Sequence, residues 1–176
     1  KENSYFKDRQ EMRGTATDDT FSKEDAPLCK DASGNVYQGT LLEHILIQNL
    51  TAFYEVGEHN HMRLRGADWN DALDMAANKG ESVAFTAAYS QNMDTLADLI
   101  EALKDKEGLQ SVLVAKELEV LFCDDVEVYE SIEKKTEVLA AYCKSVYPQV
   151  SGQKAEIDCD KAAKCLRAMA EWIREH

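Results

Sequence analysis

Helix breakers are scarce in this chain, and their scarcity limits the folds open to it. Only two prolines and eight glycines occur among its 176 residues. In the stretches between these prolines and glycines, apolar residues recur every three or four positions, which is the period of one face of an α-helix. No alternating strand pattern of useful length is visible. We therefore predict an all-α fold.

The first well-defined helix is predicted to begin at Thr40. Thr40 and Glu43 form a Thr-x-x-Glu pattern, in which each side chain can satisfy a free backbone N–H at the helix start. Apolar residues such as Leu42, Leu46 and Leu50 then fall on one face, and the helix is expected to end near Gly57. The pattern gives Glu43 a structural role through its cap.

Further helices are predicted along the rest of the chain. One runs from Val83 to Leu103 with Gly108 as its stop, two occupy about 109–122 and 125–147, and the last runs from about Asp160 to the end. Residues 1–38 form a polar lead-in. We treat residues 1–176 as a single domain segment in which 39–176 are helical.

Charge and cysteine usage exclude several classes of function. A net charge of −13 without a basic cluster would repel nucleic acid and anionic lipid, and no apolar run reaches the roughly 20 residues that span a bilayer. The five cysteines are odd in number and dispersed, which favours reduced thiols in the cytoplasm over disulfides. We predict no metal site, because CxxC is absent and the His59-x-His61 spacing lacks a nearby third ligand.

Residues 65–71, RGADWND, concentrate the side chains that a sugar site uses. The indole of Trp69 can cover the apolar side of a pyranose, and carboxylates and amides bond its hydroxyls. A carboxylic acid can also protonate a glycosidic oxygen as the bond breaks. Asp and Asn are also common in turns and at helix starts, where their role is structural. The run thus predicts either a sugar site or a structural turn.

A wider stretch around this run resembles a known family. Residues 57–74, GEHNHMRLRGADWNDALD, followed by KGESV at 79–83, look like the signature of the cellobiose phosphorylase group, glycoside hydrolase family 94. Residues 39–44, GTLLEH, are similar to the helix opening that precedes it. The similarity covers about 18–100. It implies part of an α/α six-hairpin toroid barrel and, since the family's enzymes are several times longer, a catalytic-domain fragment that is inactive alone.

The resemblance also implies an activity. It is the inverting, reversible phosphorolysis of β-linked gluco-oligosaccharides to α-glucose 1-phosphate, by a phosphorylase of glycosyltransferase type. Asp71 would be the general acid, and that role requires its pKa to be raised, by Trp69 and by the negative charges of Asp68 and Asp74. Trp69 would line the subsite of the non-reducing glucosyl unit. Asp68 and Asn70 would bond hydroxyls or shape the turn, and Arg65 would complete the set by pairing with a carboxylate.

Inorganic phosphate is the expected co-substrate, and no cofactor is implied. The resemblance places the phosphate-binding residues downstream of this chain, so we interpret His59, His61 and Arg63 as loop residues, the histidines hydrogen-bonding within the loop. The expected partners are oligosaccharide and phosphate, with a homodimer in the full-length protein. Two alternatives stay open: a glycoside hydrolase or transferase on a related α/α barrel, and a non-enzymatic acidic helical interaction module.

Overall fold

The structure is a computed structural model that describes residues 30–64 and 80–176. Its longer helices are α1 (Leu41–Tyr54), α2 (Val83–Glu107), α4 (Ile132–Val146) and α5 (Cys159–Glu175), with the short helix α3 (Val126–Glu130) before α4. Strands β1 (Ser111–Ala115) and β2 (Lys154–Asp158) form an antiparallel sheet, and a 3₁₀ helix (Lys116–Leu121) follows β1. The described part is therefore mostly helical, as the apolar spacing predicts, with a small sheet added.

Helix α1 begins as predicted, but Glu43 does not serve as its cap. The Thr40 hydroxyl accepts a hydrogen bond from the Glu43 backbone N–H at 3.0 Å. The buried Glu43 carboxylate instead accepts from the Tyr37 hydroxyl at 3.0 Å and from Lys154 Nζ at 3.0 Å. Burial raises the pKa of Glu43, and the bonds from Lys154 and Tyr37 oppose that rise. Glu43 therefore ties the segment before α1 to β2.

Helix α2 confirms the predicted start and stop. The Ser82 hydroxyl accepts from the Phe85 backbone N–H at 3.1 Å, which satisfies one of the free donors at the helix start. At the other end Gly108 adopts the left-handed conformation, with φ of 69°, and its N–H bonds to the Lys104 carbonyl at 3.0 Å. A glycine tolerates this conformation without steric cost, so the helix ends where the sequence predicts.

The helix predicted over 109–122 is wrong. Ser111–Ala115 is strand β1, in which Val112 and Val114 are buried while Leu113 between them is exposed. The strand pairs with β2, where Val112 lies opposite Ile157 and Val114 opposite Ala155. A short apolar run rich in Val fits a half-buried strand as well as a buried helix. Residues 111–115 form a strand because they pair with β2, which lies far away in the sequence.

The helix predicted over 125–147 is interrupted at Ser131. Asp125 caps α3 by accepting from the Glu127 N–H at 2.9 Å, and Ser131 caps α4 by accepting from the Lys134 N–H at 3.2 Å. Each cap residue has extended backbone angles. Ser and Asp favour such positions because they replace the missing backbone partners of a helix start.

Helices α2 and α5 pack against each other over the core. The Ser90 hydroxyl donates to the Ala170 carbonyl at 3.0 Å, and Arg167 on α5 bonds Asp98 at 2.8 Å and Glu101 at 2.6 Å on α2. Fully buried apolar side chains come from α1, α2, the 3₁₀ helix and α5, among them Leu46, Leu50, Phe53, Met93, Ile100, Leu118, Leu121 and Leu166. Each such side chain stabilises the fold by about 1.5–3 kcal/mol. Within 30–64 and 80–176, no helix combines the length and hydropathy needed to cross a bilayer.

Candidate functional site

The residues that the sequence predicts for sugar binding and catalysis lie between the two described ranges. They are the general acid Asp71 and the substrate-binding residues Trp69, Asp68, Asn70 and Arg65, and all five lie outside the described residues. The structure does describe both flanks of this run.

The two flanks lie side by side. Arg63 pairs with Glu81 as an antiparallel bridge. On either side of that pair, the Leu64 N–H donates to the Gly80 carbonyl at 2.9 Å and the Ser82 N–H donates to the Met62 carbonyl at 3.0 Å. The chain therefore enters and leaves residues 65–79 at one place, although fifteen residues separate the two flanks in sequence.

Glu81 fixes the turn that precedes this place. Its carboxylate accepts from the backbone N–H groups of His59 at 3.0 Å and His61 at 3.1 Å, and contacts His59 Nδ1 at 2.7 Å. Partial burial raises the pKa of Glu81, but these bonds from His59 and His61 hold it below its usual range. The interpretation that the histidines bond within the loop is confirmed for His61, whose carbonyl accepts from the Gly57 N–H at 3.0 Å. For His59 it is wrong, because its partner Glu81 lies 22 positions away.

The close approach of Glu81 also explains a glycine. A Cβ atom on Gly57 would lie 2.5 Å from Cδ and 2.5 Å from Cγ of Glu81. Residues 57–61 therefore form a tight turn wrapped around one carboxylate, and we call this segment the histidine turn. An ionised carboxylate only accepts hydrogen bonds, so His59 Nδ1 carries the hydrogen and Nε2 is turned outward from the pair.

A second anchor holds the histidine turn from the other side. Asn60 has φ of 62°, a left-handed conformation that Asn tolerates better than most residues. Its amide Nδ2 donates to the carbonyls of Tyr129 at 3.0 Å and Glu130 at 3.3 Å. Its Oδ1 accepts from Lys135 Nζ at 2.9 Å. Because all three bonds are long-range, they fix the turn against α3 and α4.

Lys135 is a residue of this site that the sequence analysis does not identify. Its side chain is 1% exposed, and its Nζ lies 4.2 Å from the ring centroid of Phe53 and 4.0 Å from that of Trp172. Burial lowers its pKa to about 7. Its position could have been noticed in the sequence. Lys135 lies on the same helical face as Ile132, Leu139 and Tyr142, where the helical period predicts an apolar residue.

A cleft of 370 Å³ opens beside the histidine turn, within the range of small-molecule sites, about 300–1,000 Å³. The turn contributes His59, Asn60 and His61 to its wall. Thr86 on α2 and Glu130 at the end of α3 also line it. Thr86 is already engaged, since its hydroxyl accepts from the Met62 N–H at 2.9 Å and donates to the Ser82 carbonyl at 2.8 Å.

Trp172 and Ile173 in the last turn of α5, and His176 directly after the helix, also line the cleft. The rings of Trp172 and His176 stack with centroids 4.8 Å apart and planes 15° apart. His176 Nδ1 lies 3.0 Å from the Trp172 carbonyl. Among the described residues the buried indole Nε1 of Trp172 has no hydrogen-bond partner. The indole, 8% exposed and covered by Lys135 and His176, forms a wall more than an open stacking platform.

The described side chains do not assemble a metal centre. In residues 30–64 and 80–176, no three His, Cys, Asp or Glu side chains converge in a geometry that could hold an ion. Four cysteines in the same ranges, Cys123, Cys143, Cys159 and Cys165, are free thiols. The arrangement thus offers hydrogen-bond donors and acceptors around a small cleft.

No protein-family model matches this chain. No curated protein matches it either. In the part of the chain that the structure describes, the protein is mostly helical and has a ligand-sized cleft of mixed polar and apolar lining beside the flanks of the acidic and aromatic run.

Proposed function

We propose that this chain is part of the catalytic domain of a glycoside phosphorylase. It would cleave β-linked gluco-oligosaccharides with inorganic phosphate, with inversion, and release α-glucose 1-phosphate. Asp71 would donate the proton to the departing glycosidic oxygen, and Trp69, Asp68, Asn70 and Arg65 would bind the sugar. Phosphate would attack from the opposite face of the ring, so no catalytic base is needed.

One observation carries the proposal. The two stretches that resemble the family's signature, GEHNHMRL at 57–64 and GESV at 80–83, are joined by Glu81 and by backbone hydrogen bonds at Leu64 and Gly80. Flanks that are hydrogen-bonded to each other give the run between them a rigid support, and binding and catalytic residues concentrate on segments supported in this way. A neighbouring cleft, lined by both polar and aromatic side chains, supports the same proposal.

The finer features of the proposal follow the same resemblance. The helices would belong to an α/α toroid barrel, and the whole enzyme would be a cytoplasmic homodimer. The mostly helical architecture supports the first of these, and the dispersed cysteines of the sequence support a cytoplasmic location.

The test is phosphate-dependent turnover in the longest natural chain that contains these residues. Cellobiose and its β-1,2 and β-1,3 linked isomers are incubated with and without phosphate, and α-glucose 1-phosphate is measured. Release only with phosphate is expected. Release of free glucose without phosphate would instead favour the hydrolase alternative, and no reaction with any β-linked substrate would refute the proposal.

Asp71→Asn is the decisive variant. Loss of a general acid costs about 10²–10⁴-fold in rate, so we expect at least a hundredfold lower kcat with folding unchanged. The matched control is Asp105→Asn, an exposed Asp of α2, which should keep full activity. Activity of the Asp71→Asn protein within about tenfold of the parent would exclude the assigned role.

A further inference from the structure

We propose that the cleft beside the histidine turn binds a neutral saccharide unit through His59, His61 and Glu130. The inference rests on the proposed function, for which the cleft would be an additional substrate-binding site formed by described residues alone.

The histidine turn is preorganised by two independent anchors. Glu81 holds it through two backbone N–H groups and one ring nitrogen, and Asn60 holds it through Tyr129, Glu130 and Lys135. Loops fixed in this way lose little conformational entropy when a ligand arrives, which strengthens binding. A left-handed Asn and a buried lysine both cost free energy of folding. The packing of α4 does not require the lysine, since an apolar residue at position 135 would pack there.

Polar atoms in the cleft remain available for a ligand. His59 is 77% exposed, and with Nδ1 held by Glu81 its Nε2 is uncommitted within the described part. The His61 ring and the exposed Glu130 carboxylate likewise have no hydrogen-bond partner in residues 30–64 and 80–176. Imidazoles can donate or accept and a carboxylate accepts, so together they match the paired donor and acceptor character of sugar hydroxyls.

Charge favours a neutral ligand over an anion. Glu130 faces the cleft, the Glu81 carboxylate lies directly behind His59, and the chain carries a net charge of −13. The Lys135 amine, which bonds the turn through Asn60, is buried and directed at Asn60 and two aromatic rings. A phosphate or carboxylate would therefore meet more repulsion than attraction, whereas hydroxyl groups carry no such penalty.

The experiment is an equilibrium titration of the chain with cellobiose, which needs no turnover. Binding is followed by calorimetry and by the NMR signals of the histidine rings. We expect cellobiose to shift the His59 and His61 signals, and Glu130→Ala and His59→Ala each to weaken binding about tenfold or more, the loss typical of a hydrogen bond to a charged or polar anchor. Glu137→Ala, an exposed carboxylate on α4, is the matched control and should bind like the parent.

The outcomes separate this inference from the proposed function. If cellobiose binds equally well to the parent and to both cleft variants, the cleft is not the site, while phosphorolysis can still stand. If phosphorolysis fails but binding depends on Glu130 and His59, the cleft inference stands and the enzyme assignment falls. Parallel titrations with inorganic phosphate and methylammonium test the charge argument. Tighter binding of either one, with the same dependence on the variants, would overturn the assignment to a neutral saccharide.

Discussion

Lys135 Nζ, a buried amine, donates a hydrogen bond to Asn60 Oδ1 at 2.9 Å across 75 positions of sequence. The same Asn60 side chain binds the carbonyls at the end of α3. One amide therefore joins the histidine turn to α3 and α4 at once, and the shape of the cleft depends on it.

Asn60 contributes through both its side chain and its backbone conformation, and two substitutions separate them. Asn60→Gly removes the amide but accepts φ of 62°, so we expect a loss of about 1–3 kcal/mol from the unpaired buried amine and carbonyls. Asn60→Ala should cost about 1 kcal/mol more, because Ala is strained in the left-handed region. Urea unfolding followed by circular dichroism measures both. A Gly variant as stable as the parent would show that the amide anchors nothing.

Lys135 should impose a distinctive pH dependence on stability. Burial lowers its pKa to about 7 in the folded chain, against about 10.4 in an unfolded one. Above pH about 7 the unfolded chain therefore binds more protons at this site, and the free energy of unfolding rises with pH. Relative to Lys135→Met, the parent should gain stability as the pH rises from about 7 to about 8.5, the upper bound being set by thiol titration in the unfolded chain.

The control for that measurement is Lys134→Met. Lys134 pairs with Glu127 at 2.8 Å on the surface, and its pKa is raised, with the hydrogen bond from its amine to Glu127 as the main cause. Its contribution should stay constant over the same pH range, since the amine is charged in both states. A flat difference curve for Lys135→Met, parallel to that of Lys134→Met, would contradict the buried, partly neutral lysine.

Cys165 is expected to be inert in the folded protein. Burial raises the pKa of its thiol to about 12, and its Sγ donates to the Cys123 carbonyl at 3.1 Å. Because the thiolate is the reactive form, iodoacetamide at pH about 8 should leave Cys165 unmodified in the native state and label it in urea. Peptide mass spectrometry reads the modification. Rapid native labelling would mean that α5 opens readily or that the thiol is not buried.

Local signals in the sequence predict the helices well and the sheet poorly, for a physical reason. The cap at Ser82 and the stop at Gly108 act on neighbouring residues, so their patterns can be read within a few positions. Strand β1 is a strand because Val112 and Val114 meet β2 about 40 positions later, and no local pattern of five residues contains that information.

The candidate site shows the same division. Lys135 could have been found from sequence, because a lysine on an apolar helical stripe is a local anomaly. The hydrogen bonds between Glu81 and the histidine turn could not have been predicted, because no pattern in residues 57–61 indicates a carboxylate twenty positions away. The roles of Asp71 and its neighbours stay predictions, carried by resemblance and residue chemistry.

The contact between Gly57 and Glu81 permits a sharp test of how the histidine turn is held. In Gly57→Ala the new Cβ would lie 2.5 Å from the Glu81 side chain, so the carboxylate must move and lose its bonds to the turn. We expect a cost of about 1–3 kcal/mol in the free energy of unfolding. In a Glu81→Ala background the clash is gone, and the same glycine substitution should cost little. The coupling energy in this double-mutant cycle should therefore fall within about 0.5–3 kcal/mol.

Gly34→Ala supplies the matched control for that cycle. Gly34 has φ of 82° and open space where a Cβ would lie, so Ala is strained there without touching Glu81. Its cost should add to that of Glu81→Ala, as distant and independent sites do. If Gly57→Ala were equally additive, the turn would not be packed around the carboxylate, and the preorganisation on which the saccharide cleft depends would lose its basis.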